Sequence, residues 1–391
     1  MKTGITLLLL MTCALAIAGD YEVAVYYFPN YHPDAKNQRR YGKGWTEWEL
    51  VKTAHPRFPS HRQPKVPAWG YTDESRPEVM ERKIAAAASH GITCFLYDWY
   101  WHESGPFLDR GLEKGFLKAS NRNRIRFALM WANHDWVELF RARADGTRPL
   151  HYPGAVTRAA FRKLTDHAIR NYFTQPNYWR IDGKPYFSIY ELMTFVKGMG
   201  GMAPAREALQ EFRERVRQAG LPGLHLNAID WGVNPKGLAK DRDEMIAALG
   251  IDSVTSYCWI HNVPLRSFPA ASYSAWREES TGKWDEIKAR FGVPYFPNVS
   301  MGWDSSPRTE QNVDYRPLGY PYTAVTVDNT PAEFRKALEA AKAFLDRTPS
   351  AQRIMTINAW NEWTEGSYLE PDTVDGAGYL EAIRAVFGAK K

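Results

Sequence analysis

The chain has 391 residues, of which 44% are hydrophobic and 24% are charged, and this composition is ordinary for a globular protein. Its formal net charge of +6 is spread along the sequence rather than gathered in long basic runs, which argues against nucleic-acid binding. Three cysteines exclude a disulfide-based scaffold, and the unusual figures are instead 15 tryptophans and 21 tyrosines.

The first 18 residues have the pattern of a secretory signal peptide. A positively charged start precedes an apolar run at residues 5–11, and residues 16–18 (AIA) offer the small side chains of a cleavage site. The run is shorter than the ~20 apolar residues that span a membrane. We therefore expect a secreted or periplasmic protein, cleaved near Ala18, with one domain at residues 19–391. Lipid attachment at Cys13 is the alternative, although the residue before it is a poor match to a lipoprotein signal.

Beyond the predicted cleavage site, short apolar, β-branched or aromatic runs alternate with helical patterns. The predicted strands are residues 21–28, 92–97, 125–130, 186–190, 224–229, 253–258, 295–299 and 353–358. The predicted helices are residues 77–90, 107–119, 157–173, 203–218, 240–249, 284–291, 331–347 and 378–387. Alternating strands and helices favour parallel pairing, and eight such units predict an α/β fold, a single (β/α)8 TIM barrel.

The links between these elements differ in length on the two ends of the predicted barrel. Links from helix to strand are short, whereas several links from strand to helix are long, at residues 29–76, 131–156, 259–283 and 300–330. A barrel places its strand-to-helix loops on the C-terminal face, where barrel enzymes carry their active sites. An open nucleotide-binding sheet would instead need a glycine-rich turn after an early strand, and none follows residue 28.

Acidic, amide and aromatic residues follow the predicted strands closely. This mixture suits a sugar, because a pyranose has apolar C–H faces that stack on aromatic rings and hydroxyls that need both donors and acceptors. The predicted stacking residues are Tyr27, Tyr31, Trp99, Trp101, Trp131, Trp259, Trp303 and Trp363. The predicted hydroxyl-binding residues are Asp98, Asn133, Asp230 and Asn361. The alternative is that the rings only cap the barrel and the acids are solvated.

Histidines near the same strand ends raise the alternative of a metal centre. They are His32, His102, His134 and His261, and no two of them have the spacing of a metal-binding helix such as HExxH. A lone histidine at such a position more often hydrogen-bonds a neighbour or a substrate hydroxyl. We therefore expect neither a metal nor a cofactor.

The segment NAWNEWTEGSYLEPD, which follows the last predicted strand, contains the acid pair Glu362 and Glu365. Glycoside hydrolysis typically uses two carboxyl groups, one protonated and one ionised. If both side chains enter one cavity, each raises the proton affinity of the other, and neighbouring indoles desolvate them further. Two glutamates three positions apart are also common on solvated helix faces. The location after the last strand, between Trp360 and Trp363, favours the catalytic interpretation.

This segment resembles the Asn-Glu-Trp-x-Glu-Gly segment of glycoside hydrolase family 99 and of the related WbsX-like proteins. The amino-terminal half is more similar to the WbsX-like proteins, because YYFPNYHP, GKGWTEWELVKTAHPRFPSHRQP, GITCFLYDWYW and WANHDW match their motifs in order. The resemblance covers nearly the whole chain after the predicted signal peptide. In WANHDW, His134 stands where the WbsX-like pattern usually has a glutamate, which puts an acid at that position in doubt, although Asp135 is adjacent.

The resemblance implies a (β/α)8 barrel and endo-acting, retaining cleavage of α-mannosidic bonds through the 2-hydroxyl of the substrate. By motif position, Glu362 would be the base that takes the 2-hydroxyl proton, and Glu365 the acid that protonates the leaving oxygen and then the base that activates water. We therefore expect a glycoside hydrolase that acts on a poly- or oligosaccharide, as a monomer without a membrane span.

Two alternatives remain. WbsX-like proteins are often labelled glycosyltransferases, but a signal peptide argues against a sugar-nucleotide donor, which is cytoplasmic. A non-catalytic glycan-binding barrel would keep the tryptophans without needing two acids one turn apart. Basic residues such as Arg308 would further suit an acidic or sulfated polysaccharide.

Overall fold

The structure, a computed structural model, describes residues 21–349 and 353–388. The predicted signal peptide and Cys13 lie outside the described residues. No helix within the described ranges is both long and apolar enough to cross a membrane. Cys94 and Cys258 are buried and carry free thiols.

Parallel strands form a nearly closed barrel, which confirms the predicted fold. The strands are β1 (Glu22–Tyr27), β2 (Cys94–His102), β3 (Arg126–Trp131), β4 (Lys184–Ile189), β5 (His225–Ile229), β6 (Ser253–Thr255), β7 in two segments (Tyr295–Phe296 and Asn298–Ser300) and β8 (Ile354–Asn358). The first segment of β7 pairs with β6 and the second pairs with β8, while β1 pairs with both β2 and β8. The pairing order therefore starts and ends on the two halves of β7, on either side of Pro297.

Helices surround the barrel and also occupy its long loops. They are α1 (Ala35–Tyr41), α2 (Trp48–Lys52), α3 (Pro77–Ser89), α4 (Arg158–Ala168), α5 (Leu192–Met199), α6 (Met202–Gln218), α7 (Arg242–Leu249), α8 (Tyr273–Gly282), α9 (Trp284–Lys288), α10 (Pro331–Asp346) and α11 (Gly378–Phe387). Helix α10 illustrates why they form where they do: the Thr330 side chain accepts a hydrogen bond from the Glu333 N–H, and Pro331 occupies the first turn. Its apolar face, which includes Phe334 and Leu338, is buried.

The sequence did not predict α1, α2, α5 and α8, which lie in or beside the strand-to-helix loops. The predicted helix at residues 107–119 is instead a π-helical turn at Gly111–Gly115 followed by a 3-10 turn at Phe116–Lys118. A Cβ atom on Gly115 would lie 2.1 Å from the Glu74 carbonyl oxygen, so this turn depends on a close backbone approach that hydrophobic periodicity does not reveal.

Polar side chains line the inside of the barrel below the strand ends. Ser188 donates to Asn227 (2.8 Å), which in turn donates to Ser253 (2.9 Å), and all three are buried. Apolar and aromatic side chains fill the space between strands and helices. This division follows from the alternation of side chains along a strand, and it decides which residues reach the functional end.

A buried ion network fixes the segment after β8 against α3. Lys83 on α3 is 1% exposed and lies 2.7 Å from Glu370 and 3.5 Å from Glu74. The two carboxylate oxygens of Glu370 accept the indole N–H groups of Trp360 (2.9 Å) and Trp363 (2.8 Å). The network therefore orients the two indoles that flank the acid pair.

Replacing Lys83 by methionine should destabilise the protein strongly. The change leaves Glu74 and Glu370 buried without their cation, and breaking a buried pair in this way costs about 3–5 kcal/mol. Urea unfolding followed by tryptophan fluorescence measures the change. Lys52→Met is the matched control, since Lys52 forms an exposed pair with Glu49 worth about 0–1 kcal/mol. Equal losses in the two variants would contradict the prediction.

Candidate active site

A cavity of about 630 Å³ opens at the carboxyl ends of the barrel strands. Both members of the acid pair line it, together with Asp98 and Tyr100 of β2 and Arg308 of the loop after β7. Its volume lies within the range of small-ligand sites. This end of the barrel is where the long strand-to-helix loops were expected to form a site.

Local geometry brings the two acids to the same side of the chain. Asn361–Glu362 forms a short antiparallel ladder with Ser367–Tyr368, and Trp363–Glu365 is a single 3-10 turn. Glu362 lies directly before this turn and Glu365 at its end, and both side chains contact the Arg308 guanidinium, so they point to the same side. Gly366 ends the turn with φ 64°, where a Cβ atom would lie 2.6 Å from the Asp304 side chain. Glycine is therefore required at this position by backbone conformation and by space.

One buried arginine joins the two acids. The Arg308 guanidinium donates from Nη2 to Glu362 (2.5 Å) and from Nη1 to Glu365 (2.5 Å). It also donates from Nε and Nη2 to Glu47 (3.0 and 2.9 Å), and from Nη1 to the Tyr320 hydroxyl. All five N–H groups of the guanidinium are thereby used. The expectation that Arg308 would bind an acidic polysaccharide is wrong, because its charge already faces three carboxylates.

Glu47 and Tyr320 complete this arrangement, and the sequence did not predict either of them as site residues. Glu47 lies at the start of α2 and is fully buried, while the Tyr320 hydroxyl donates to Glu365 (2.6 Å) and 39% of the Tyr320 residue is exposed. Glu47 does carry a sequence signal, since WTEW places an acid between two tryptophans just as WNEW does around Glu362. Tyr320 sits in a loop with no comparable pattern.

Burial and charge raise the proton affinity of this cluster. Burial raises the pKa of Glu362 well above 4.5, and the charges of Glu365 and Glu47 raise it further against the lowering effect of Arg308. Burial likewise raises the pKa of Asp98, even though the Tyr257 hydroxyl donates to it (2.9 Å). Glu362 therefore binds its proton more tightly than a free glutamate does, as acid–base catalysis requires of one carboxyl.

Most of the predicted stacking residues do not line the cavity. Trp303 does, whereas Trp99, Trp101, Trp131 and Trp259 point outward and pack against helices and loops: Trp131 lies against Phe161 of α4, and Trp259 against Trp276 of α8. Because side chains alternate along a strand, Asp98 and Tyr100 face inward while Trp99 and Trp101 face outward. Location just past a strand does not distinguish these two faces.

The remaining predicted aromatic residues contact protein groups around the acid pair rather than the cavity. Tyr27 donates to Glu74 (2.8 Å), and the Tyr31 hydroxyl accepts the backbone N–H of Trp363 (3.1 Å). The Trp363 ring stacks on Tyr368, with 3.7 Å between the ring centroids. All three predicted residues are fully buried and contact protein groups. They orient the segment that carries the acids.

Of the predicted hydroxyl-binding residues, Asp98 lines the cavity and the other three hold protein groups. Asn133 exchanges two hydrogen bonds with the Glu191 backbone (both 2.8 Å), and Asn361 exchanges two with the Phe28 backbone (2.8 and 2.7 Å). Asp230 accepts from Asn262 (2.8 Å). Asn133 and Asn361 thus fix strand ends in place.

Several aromatic residues outside the predicted stacking set form the cavity wall. They are Tyr100, Trp136, Tyr190, Trp231 and Tyr257. Trp231 is the most open of them, with 36% of its surface exposed.

His134, where the family pattern usually has glutamate, also lines the cavity, as do Asp135 and His261. Burial lowers the pKa of His261 to about 4, so its imidazole is neutral at physiological pH. No group of three His, Cys, Asp or Glu side chains within residues 21–349 and 353–388 is arranged to hold a metal ion.

The fold and the site define a (β/α)8 barrel protein with two clamped carboxylates at the carboxyl ends of its strands. A family model described as "Glycosyltransferase WbsX" matches residues 23–383, and the chain belongs to this family. The chain is 27% identical to the uncharacterized protein WxcX of Xanthomonas campestris pv. campestris strain B100 over 389 residues. That match covers 95% of this chain but 50% of WxcX, so the chain spans about half the length of this relative.

Solved structures with a similar fold include a GH99 endo-alpha-mannosidase from Bacteroides thetaiotaomicron. It superposes with a TM-score of 0.57 at 16% identity, covering 94% of this chain and 96% of the mannosidase. A second structure, described as a glycoside hydrolase-like protein, superposes with a TM-score of 0.59 at 16% identity, covering 96% of each chain. These likenesses show a shared barrel fold.

Replacing Glu362 by glutamine should raise stability at neutral pH. A carboxyl whose pKa is raised by folding binds its proton more tightly in the folded state, so the free energy of unfolding falls as pH rises above 4.5 toward the raised value. Glutamine mimics the protonated form and removes that loss, so the variant should be more stable than the wild-type protein at neutral pH and equally stable near pH ~4. Urea unfolding at several pH values measures it.

Glu49→Gln is the control for this experiment, since Glu49 is an exposed partner of Lys52. We expect the control to keep the pH slope of the wild-type protein. A Glu362→Gln protein whose stability also fell with pH as steeply as the wild type would contradict the assignment of the retained proton.

Proposed function

We propose that the protein is a glycoside hydrolase that cleaves bonds within a poly- or oligosaccharide, with Glu362 and Glu365 as its catalytic residues. The observation that carries this proposal is the pair of carboxylates held 2.5 Å from the two ends of one guanidinium, inside a cavity with aromatic walls. Two carboxyl groups of which one keeps a proton are the chemical requirement for glycosidic cleavage.

In the proposed mechanism the 2-hydroxyl of the substrate acts as the nucleophile. In the first step Glu362 takes the proton of this hydroxyl and the 2-oxygen bonds to the anomeric carbon, while the bond from that carbon to the leaving oxygen breaks and the leaving oxygen takes the proton of Glu365. In the second step Glu365 accepts a proton from water and the water oxygen bonds to the anomeric carbon, while the bond from that carbon to the 2-oxygen breaks and Glu362 returns its proton to the 2-oxygen. The anomeric carbon is inverted twice, so its configuration is retained. A hydroxyl bound at Glu362 favours the ionised form of that carboxylate, because a charged acceptor makes the stronger hydrogen bond.

The substrate would lie between the exposed rings of the cavity. Trp303 and Tyr320, whose ring centroids are 6.1 Å apart, stand beside Glu365, and Trp231 and Tyr190 form another part of the wall. These rings offer apolar faces for sugar C–H groups. Endo action and a preference for α-mannosides are supported by the fold shared with the endo-alpha-mannosidase and by the segment NEWTEG.

A glycosyltransferase, as the family description has it, is the second candidate. A sugar-nucleotide diphosphate needs free cations or a nest of backbone N–H groups. In the described part of the cavity wall the arginines are Arg148 and Arg308, and Arg308 is fully engaged by protein groups. A purely glycan-binding barrel is less well supported, since stacking needs no protonated acid. Hydrolysis therefore accounts for more of the site.

We further infer that residues 19–391 act as one catalytic domain, as a monomer, outside the cytoplasm. The continuous barrel order from β1 to β8 supports a single domain, and the pattern of the first 18 residues supports export.

Replacing Glu365 by glutamine should abolish turnover and leave glycan binding largely intact. General acid catalysis contributes about 10²–10⁴-fold, and glutamine keeps the shape of the side chain without a transferable proton. The measurement is reducing-end release from a panel of α-mannans and other bacterial, plant and algal polysaccharides, with affinity electrophoresis for binding.

The matched control is Glu138→Gln, a partly buried glutamate that hydrogen-bonds Tyr41 and His151 away from the acid pair and should stay active. Wild-type rates in the Glu365→Gln protein would overturn the assignment of the acid. A wild-type protein that releases nothing from the panel but is stabilised by a sugar nucleotide in thermal-shift scanning would support the transferase instead.

A further inference from the structure

Glu47 is a third buried carboxylate at the acid pair, but it does not line the cavity. It contacts Arg308 on the side of the guanidinium away from Glu365. It cannot therefore be a general acid or base for a substrate in this cavity, and its location calls for a different role.

Three side chains donate hydrogen bonds to the Glu47 carboxylate. Its Oε1 accepts from Arg308 (3.0 and 2.9 Å) and from the Thr364 hydroxyl, and its Oε2 accepts from the Asn30 amide (2.6 Å). The Asn30 amide is itself held in orientation, because its oxygen accepts from Asn37 (2.9 Å). Glu47 thus accepts four hydrogen bonds, two from Arg308 and one each from Thr364 and Asn30.

The acid pair has fewer donors. Among the described residues, Glu362 accepts from Arg308 alone, and Glu365 accepts from Arg308 and the Tyr320 hydroxyl. Three ionised carboxylates around one guanidinium would leave two negative charges in excess in a buried place, which is costly. Glu47 accepts more hydrogen bonds than Glu362 or Glu365 does. We therefore expect the proton that relieves the excess negative charge to bind to Glu362 or Glu365 rather than to Glu47.

The other groups that face the pair do not replace Glu47 in this role. Asp98 is the remaining carboxyl: burial raises its own pKa, and its charge raises the pKa of Glu362, but it has no ion pair with Arg308 among the described residues. The neighbouring phenols Tyr31, Tyr100, Tyr257 and Tyr320 have pKa values raised by burial and stay neutral. Arg308 is the cation that faces the pair, and Glu47 shares it.

We propose that Glu47 is a positioning residue that acts through Arg308: its permanent negative charge takes up part of the guanidinium charge and so keeps one proton on the Glu362–Glu365 pair. This inference rests on the proposed function for its kinetic consequence, but the location of the proton is a property of the protein itself. A glutamate that only anchored α2 would not control that proton.

The variant that tests the proposal is Glu47→Gln. Without the Glu47 charge, Arg308 stabilises the ionised pair alone, so the alkaline limb of the pH–rate profile should move down by about one pH unit, a tenfold change in proton affinity. At neutral pH kcat should fall while KM changes little, and acidification should restore much of the rate. A merely structural role would lower the rate by the same factor at every pH and would overturn the proposal.

A second readout does not depend on hydrolysis. Carbon-13 NMR of protein labelled at the glutamate carboxyls should show one signal that titrates well above 4.5 in the wild type and disappears in Glu362→Gln. In Glu47→Gln its midpoint should drop by about one unit. An unchanged midpoint, or a high-titrating signal that belongs to Glu47, would overturn the proposal even if no glycan substrate were found.

Two further variants control the experiment. Thr364→Val removes one hydrogen-bond donor to Glu47 and keeps the shape of the side chain. The midpoint of the high-titrating carboxyl signal should again drop, by less than in Glu47→Gln. This variant tests the proposal if the Glu47→Gln protein does not fold. Glu138→Gln should leave the midpoint unchanged, because Glu138 is a partly buried glutamate with no contact to Arg308. A shift in Glu138→Gln as large as that in Glu47→Gln would contradict a specific role for Glu47.

Discussion

The contact on which the site depends is the engagement of Arg308 by three buried glutamates. Glu47 comes from the loop after β1, Arg308 from the loop after β7, and Glu362 and Glu365 from the turn after β8. A buried guanidinium is tolerated only when every N–H finds an acceptor, and buried carboxylates only when a cation is near. Each of the three segments therefore requires the other two, and their joint position fixes the geometry of the cavity.

A second buried network, centred on Lys83 and Glu370, holds the segment that carries the acid pair. Lys83 contacts Glu370, whose carboxylate accepts the indole N–H groups of Trp360 and Trp363, the two tryptophans that flank Glu362 in the sequence. These two buried tryptophans thus serve as hydrogen-bond donors to a carboxylate and as dry surroundings, rather than as platforms for a sugar. Dry surroundings are also what raises the pKa of Glu362.

The barrel and the acid pair could be predicted because each has a local signature: alternating strands and helices for the barrel, and NEWTEG after the last strand for the acids. The direction of each side chain could not be predicted with the same ease. Asp98 and Trp99 are adjacent, yet one faces the cavity and the other faces the helices, and only the register of β2 separates them. Glu47 and Arg308 are 261 positions apart, and no local sequence pattern predicts that they form an ion pair.

The pairing of β1 with β8 brings together strands that are far apart in the sequence. Glu47 follows β1, and the turn that carries Glu362 and Glu365 follows β8. A barrel without β8 would therefore lack both one wall and the acid pair. Closure of the barrel and assembly of the carboxylate cluster are the same event.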